Sequence, residues 1–250
     1  MEIFSEAGGE FLSRWAHYLA GVTWIGILYY FNFVQVPAFA EFEAATRTEA
    51  VRKLASRALW WFRWGAVLTL LSGLSILAFQ GHLDSGDYFK TPRGISISTG
   101  ILLALFMFAN VWLVIWPNNK IVIANAEGVA AGREADPNAA AAGRRGLLAS
   151  RTNTIFSIPM LFFMAATSHF VAGNESGAVE FSSVAGGDRA LWWIVAILVI
   201  VVLELIALGK LGGYGPGGNT KHLDTHRNAI ILGFVLSVVF YLLFEICFST

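Results

Sequence analysis

Six stretches of the chain are long and apolar enough to read as membrane spans. They cover residues 11–37, 59–80, 95–116, 154–171, 190–209 and 228–248, and polar or glycine-rich segments separate them. A helix needs about 20 mostly apolar residues to cross roughly 30 Å of hydrocarbon. In lipid each backbone group must be satisfied within its own element, so helices are the expected solution rather than an open sheet. The pattern predicts an all-α integral membrane helical bundle of about six transmembrane helices, with residues 1–250 forming a single membrane domain.

Two connecting segments keep helical features of their own. Within 38–57, Phe39, Phe42, Val51 and Leu54 recur at roughly helical spacing, which predicts a cytoplasmic extension of the first or second helix. Within 118–150, Asp136 stands before Pro137 and an alanine run. Aspartate as cap with proline in the first turn is a helix start. Elsewhere, 212–218 is glycine-rich but has no lysine after it, so it is a loop and not a phosphate-binding motif.

Charge sets the direction of the spans. Thirteen of the 17 Lys and Arg residues fall within 47–63, 120–151 and 210–227. The opposite side holds Arg14, Lys90, Arg93 and Arg189. Basic residues favour the cytoplasmic side. Both termini are therefore expected on the outer side, which is the periplasm for a bacterial inner (cytoplasmic) membrane. Glu2, Glu6 and Glu10 with no basic run argue against a cleavable signal peptide.

Composition agrees with a bilayer protein. The chain is 56% hydrophobic and 14% charged, with zero formal net charge, so nothing points to nucleic acid. Cys247 is the only cysteine, which excludes an internal disulfide and a c-type haem attachment motif. The pairs Trp60 with Trp61 and Trp192 with Trp193 suit interfacial anchors or partner contacts.

Ionisable residues inside a span are costly and need a reason. His17 lies in the outer half of span one, His169 near the outer end of span four, and His82 just after span two, again on the outer side. Imidazole is a common ligand for haem iron, copper and zinc. A flat macrocycle between helices also needs small neighbours. Gly21 is one turn from His17, while Ala165 and Ala166 precede His169 by one turn. Arg14 stands one turn outward of His17, where a haem propionate would find it. The same small residues also permit cofactor-free helix packing. Glu204 and Glu245 suit either a proton relay or a structural hydrogen bond. Arg63 is expected to snorkel to the cytoplasmic interface. His222 and His226 have i,i+4 metal spacing, but Asp224 or Thr225 is a ready helix cap there, with the histidines solvated.

Three stretches carry a family resemblance. The first runs from Arg14-Trp15-Ala16-His17 through Trp24 and Gly26 to Tyr30-Phe31-Asn32-Phe33. The second is Ile115-Trp116-Pro117-Asn118-Asn119-Lys120. The third runs from Arg151 and Asn153 through Pro159 and Met164 to Ser168-His169. Together they resemble the N-terminal membrane domain of the bacterial membrane-bound urate oxidase (urate hydroxylase) family. Full-length members carry a C-terminal cytochrome c domain, whereas these 250 residues end just after span six. The first stretch is also similar to the first helix of haem-binding membrane protoporphyrinogen oxidases and of copper-resistance-type membrane proteins. In the former that helix supplies a haem-ligating histidine, and the matching position is His17.

The resemblance and the histidines together imply haem b held by His17 and His169, with Arg14 and Gly21 beside it and His82 as a lesser iron ligand. The implied activity is electron transfer or urate-oxidase-like oxidation. The implied partner is a periplasmic cytochrome c or a larger respiratory complex, docking on outer loops that hold Asp84, Asp87, Glu175, Glu180 and Asp188. Asn118, Asn119 and Lys120 are polar enough to bind an anion, or they simply end span three. The competing expectations are a cofactor-free accessory subunit of a larger membrane complex, and a transporter using the glutamates and histidines.

The topology has a direct test. Reporter fusions at Thr250 should be active only for a reporter that works outside the cytoplasm. Activity of a cytoplasmic reporter there would invert the orientation.

Overall fold

The computed structural model describes residues 2–169 and 186–248. Six helices are long and apolar enough to cross a membrane: α1 Glu6–Glu41, α2 Ala44–Phe79, α3 Pro92–Ala130, α4 Ala139–His169, α5 Gly186–Ala207 and α6 His226–Phe248. Among the described residues there is no strand. The all-α fold with six membrane-length helices read from the sequence is therefore what forms.

The helices are longer than the apolar windows. α1 and α2 have 36 residues each and α3 has 39, which is roughly 54 to 58 Å of helix. The excess lies at the basic end of the bundle. Only Phe42 and Glu43 separate α1 from α2, so the expected cytoplasmic extension belongs to both. Asn118 and Asn119 do not end α3. Their amides donate to the carbonyls of Val114 and Ile115, and the helix runs on to Ala130. The segment 118–150 is thus mostly helix, with a short turn around Asp136, whose carboxylate accepts from the Asn138 N–H. Span four likewise begins well before residue 154.

Local chemistry accounts for the ends. Ser5 accepts from the Gly8 N–H to start α1. Thr91 accepts from the Gly94 N–H to start α3, with Pro92 in the first turn. Thr225 accepts from the Asn228 N–H at the start of α6, as expected for a cap. Asp224 is engaged otherwise. It accepts from Arg144 at 2.6 Å and from the Gly217 N–H at 2.6 Å. Partial burial works against its charge, but these donors hold its carboxyl below the usual carboxylate range. Arg144 also bonds the carbonyl of Tyr214 and the Thr220 hydroxyl, so one guanidinium folds the glycine-rich loop.

α4 is the hub. It packs most extensively on α3 and α6, and more sparsely on α5 and α1. Its buried face includes a polar run from Ser150 to Thr154 and Ser157. α1 and α2 pair closely as a hairpin. At Gly65 an added Cβ would come within 3.2 Å of the Trp24 nitrogen, so the two backbones nearly touch. The apolar core lies mainly within α3 to α6, around Phe163, Trp192, Phe240 and Phe244. Trp192 is fully buried there, which corrects its reading as an interfacial anchor. It stands nearly two turns inside α5 and faces α4 and α6. Trp60 and Trp61 remain exposed.

Gly94 supplies a test of this packing. A Cβ there would run into the Tyr88 carbonyl and the Phe89 backbone, whereas a Cβ at Gly26 meets nothing within 4 Å. Gly94→Ala should lower stability by about 1–3 kcal/mol in thermal unfolding. Gly26→Ala should stay within about 0.5 kcal/mol of the parent.

Candidate functional site

Two groups of polar residues lie inside the bundle, at different places. One, called outer after the orientation expected from charge, centres on His17. It is half-buried against α2, and its Nδ1 lies 2.9 Å from the Thr69 carbonyl and 3.2 Å from the Ser72 hydroxyl. A carbonyl only accepts, so the contact with Thr69 places a proton on Nδ1 and leaves the Nε2 lone pair free. Gly73 admits the ring, since a Cβ there would meet it at 3.1 Å. On α1 the Gly21 surface is open, with nothing within 4 Å of an added Cβ.

The other expected haem-site residues are placed as follows. His169 is exposed at the end of α4. Among the described residues no hydrogen bond or ring contact joins it to His17. Arg14 holds Glu10 in an ion pair of 2.7 Å. His82 stacks on Tyr88, with centroids 3.5 Å apart and planes 6° from parallel. Burial lowers its pKa, against the opposing charge of Glu10. Among the described residues no group of three His, Cys, Asp or Glu side chains could hold a metal ion, so Glu245 forms no such cluster with the histidines. His222 lies in a short 3-10 turn (Gly218–Leu223), half-buried rather than solvated, and His226 opens α6. The two do not share a helix face. Of the proposed docking acids, Asp87 is paired with Lys90, and Glu175 and Glu180 lie outside the described residues, as do residues 170 and 171 of span four.

The inner group is a hydrogen-bonded centre shared by α3, α4 and α5. The Asn110 amide donates to Asn153 Oδ1 at 2.9 Å and to Glu204 Oε2 at 3.0 Å. The Asn153 amide donates to the Met107 carbonyl at 2.9 Å. Asn110 and Asn153 are almost fully buried and Glu204 is 9% exposed. Beside it, Asn32 donates to the Ser150 hydroxyl, and the Tyr29 hydroxyl donates to that of Ser157 at 2.9 Å, Ser157 giving its own proton to the Thr154 carbonyl. Asn32 and Asn110 both sit in π-helical segments, Tyr30–Gln35 and Asn110–Ile115. The wider turn re-aims a side chain without ending the helix, and such segments often mark functional positions. The Thr152 hydroxyl and Asn32 Oδ1 are buried there with no partner.

Glu204 was visible in the sequence as an intramembrane acid, but its partners were missed. The available signal was Asn110, the one amide within 95–116. Arg151 was counted with the basic loops. It is instead buried in α4 and donates to the Leu223 carbonyl at 2.7 Å.

Fold and site together define a multi-pass helical membrane protein with a buried polar centre and a separate intramembrane histidine. Residues 86–206, just under half of the chain, match the family model described as urate oxidase N-terminal. The resemblance read from the motifs thus stands. No curated protein and no solved structure was found to match the chain. The matched stretch holds Asn110, Asn153, Glu204 and His169, and does not reach His17.

The inner centre can be tested by its acceptor. Glu204→Gln keeps an oxygen for the Asn110 amide and should leave folding nearly unchanged. Glu204→Leu orphans that buried donor and should cost about 1–3 kcal/mol in thermal unfolding. Equal losses from both would show that the hydrogen bond is not what Glu204 supplies.

Proposed function

We propose that this chain is a redox protein of the bacterial inner membrane, in which His17 ligates haem b. The bound group would supply one-electron chemistry for electron transfer or a urate-oxidase-like oxidation, with a periplasmic cytochrome c or a respiratory complex as electron partner. The observation that carries the reading is the His17 hydrogen bond to the Thr69 carbonyl. A metal-bound histidine typically donates its second ring N–H to such an acceptor, which sets the tautomer and leaves the other nitrogen for the metal. The open surface at Gly21 suits a flat macrocycle. His169 is the candidate for the second axial position, and His82 is a weaker one because its ring is already stacked.

The family match supports the membrane-domain class and urate-oxidase kinship. What His17 does rests on the geometry just given. A second reading has one observation in its favour. Arg14 is already satisfied by Glu10, and His17 is already tied to α2, so both residues have structural work in a cofactor-free accessory subunit.

Visible absorption of the purified protein separates the two. The haem reading predicts a Soret band with about one haem per chain, abolished or greatly weakened in His17→Ala. Circular dichroism of the variant should match the parent, which excludes unfolding as the cause. His169→Ala should shift or weaken the band. A colourless parent protein, purified from haem-replete cells, would sink the haem assignment and favour the accessory subunit.

A further inference from the structure

At the basic end of the bundle α2 and α3 meet along their inner portions. The Arg63 guanidinium carbon lies 3.5 Å from the centroid of Trp116 and 5.3 Å from that of Trp112. Lys120 reaches the same Trp116 ring, at 5.6 Å. Two cations thus share one indole. Among the described residues no carboxylate lies within ion-pair distance of either. Glu49, on the inner part of α2, is taken by Arg52 and Lys53. Arg63 Nε and Trp112 Nε1 are both buried without an acceptor.

Such an arrangement is poorly explained by snorkelling alone. A snorkelling arginine extends its head into water. Arg63 instead sits over an aromatic face, roughly 24 Å along α2 from its outer end, near the inner edge of the hydrocarbon. Attraction between cation and ring is worth about 0.5–2 kcal/mol and does not neutralise the charge. Two like charges held at one aromatic corner repel, and the buried Arg63 Nε has no oxygen to donate to. The missing partner is therefore an anion with several acceptor atoms, available at the depth where hydrocarbon meets headgroups.

We propose that the Arg63, Trp116 and Lys120 corner binds the phosphate of an anionic phospholipid in the leaflet at the basic end. Clusters of basic side chains between transmembrane helices at the cytoplasmic face suit lipid phosphates. Trp64 stacks edge-on against Trp112 at 5.9 Å and is exposed, as is Leu113, so an apolar surface for the acyl chains adjoins the charged corner. The charge complementarity selects an anionic headgroup over a zwitterionic one, whose own amine would meet the two cations. The site is independent of the haem reading, since neither residue touches α1 near His17.

The test is native mass spectrometry of the delipidated, detergent-solubilised full chain with phosphatidylglycerol, phosphatidylcholine or inorganic phosphate added. Phosphatidylglycerol should bind well above phosphatidylcholine. Each cation near an anionic surface is worth about 1 kcal/mol, so Arg63→Gln and Lys120→Gln should each weaken phosphatidylglycerol binding roughly fivefold. Lys120 is a surface residue, so its variant reports on the site even if Arg63→Gln folds poorly. Equal binding of both lipids, or an unchanged preference in Lys120→Gln, would overturn the proposal. Displacement of phosphatidylglycerol by equimolar inorganic phosphate would mark a free-anion site and overturn it also.

Discussion

A polar helix in the middle of a lipid-embedded bundle must find partners for most of the polar side chains it carries, and α4 is such a helix. Ser150, Arg151, Asn153 and Ser157 would each be costly facing hydrocarbon. They are met by Asn32, the Leu223 carbonyl, Asn110 with the Met107 carbonyl, and Tyr29. Partners on three different segments leave little choice of register. α1, α3 and the loop before α6 must sit where these bonds can close. The lipid supplies no hydrophobic preference among apolar helix faces, so polar bonds and close backbone approach do the selecting. Gly146 against the Asn119 amide and Gly233 against the Ile155 carbonyl are the approaches that let neighbours reach α4.

The bundle's outline was readable because hydropathy and charge are properties of single segments. Length and apolarity gave six helices, and Phe39, Phe42 and Leu54 gave the extension of α1 and α2. What remained hidden is pairwise. Asn118 and Asn119 look like the polar end of a span, yet each side chain satisfies a carbonyl one turn back, and the helix continues through them. Trp192 looks like a belt residue, yet it is the centre of the outer core because its Nε1 donates to Thr99 on α3. Arg151 looks like one more cytoplasmic cation, yet it is buried because a loop carbonyl folds back over it. In each case the deciding atom belongs to a partner far away in the chain.

The candidate site was legible in a similar, partial way. Glu204 and His17 stand out as ionisable residues within apolar runs. The asparagines that complete the Glu204 centre do not, since one neutral amide barely alters a hydropathy average. Asn110, and Asn32 beside that centre, sit in π-helical turns that re-aim their side chains, and no single-residue signal announces such a turn.

The placement of the two polar groups bears on how the protein works. The inner centre is tied to α4 from α1, α3 and α5, and is braced by the strongest part of the packing. His17 is fifteen residues outward of Asn32, roughly 22 Å along α1. There α1 is held chiefly by α2, through Gly65, Gly73 and the Thr69 carbonyl. The outer half of the hairpin therefore stands on its own pairing, with Trp15, Tyr18 and Val22 exposed. A ligand on His17 Nε2 would be gripped by the hairpin and not by the rigid core. Its affinity would then follow α1–α2 packing, and substitutions at Gly65 or Gly73 would reach it without touching the buried centre. The Asn110–Asn153–Glu204 network should in turn be insensitive to what His17 holds, because no described bond connects the two. If His17 ligates a group as proposed, separate supports of this kind would let that group be held in the hairpin while the central helix keeps one register.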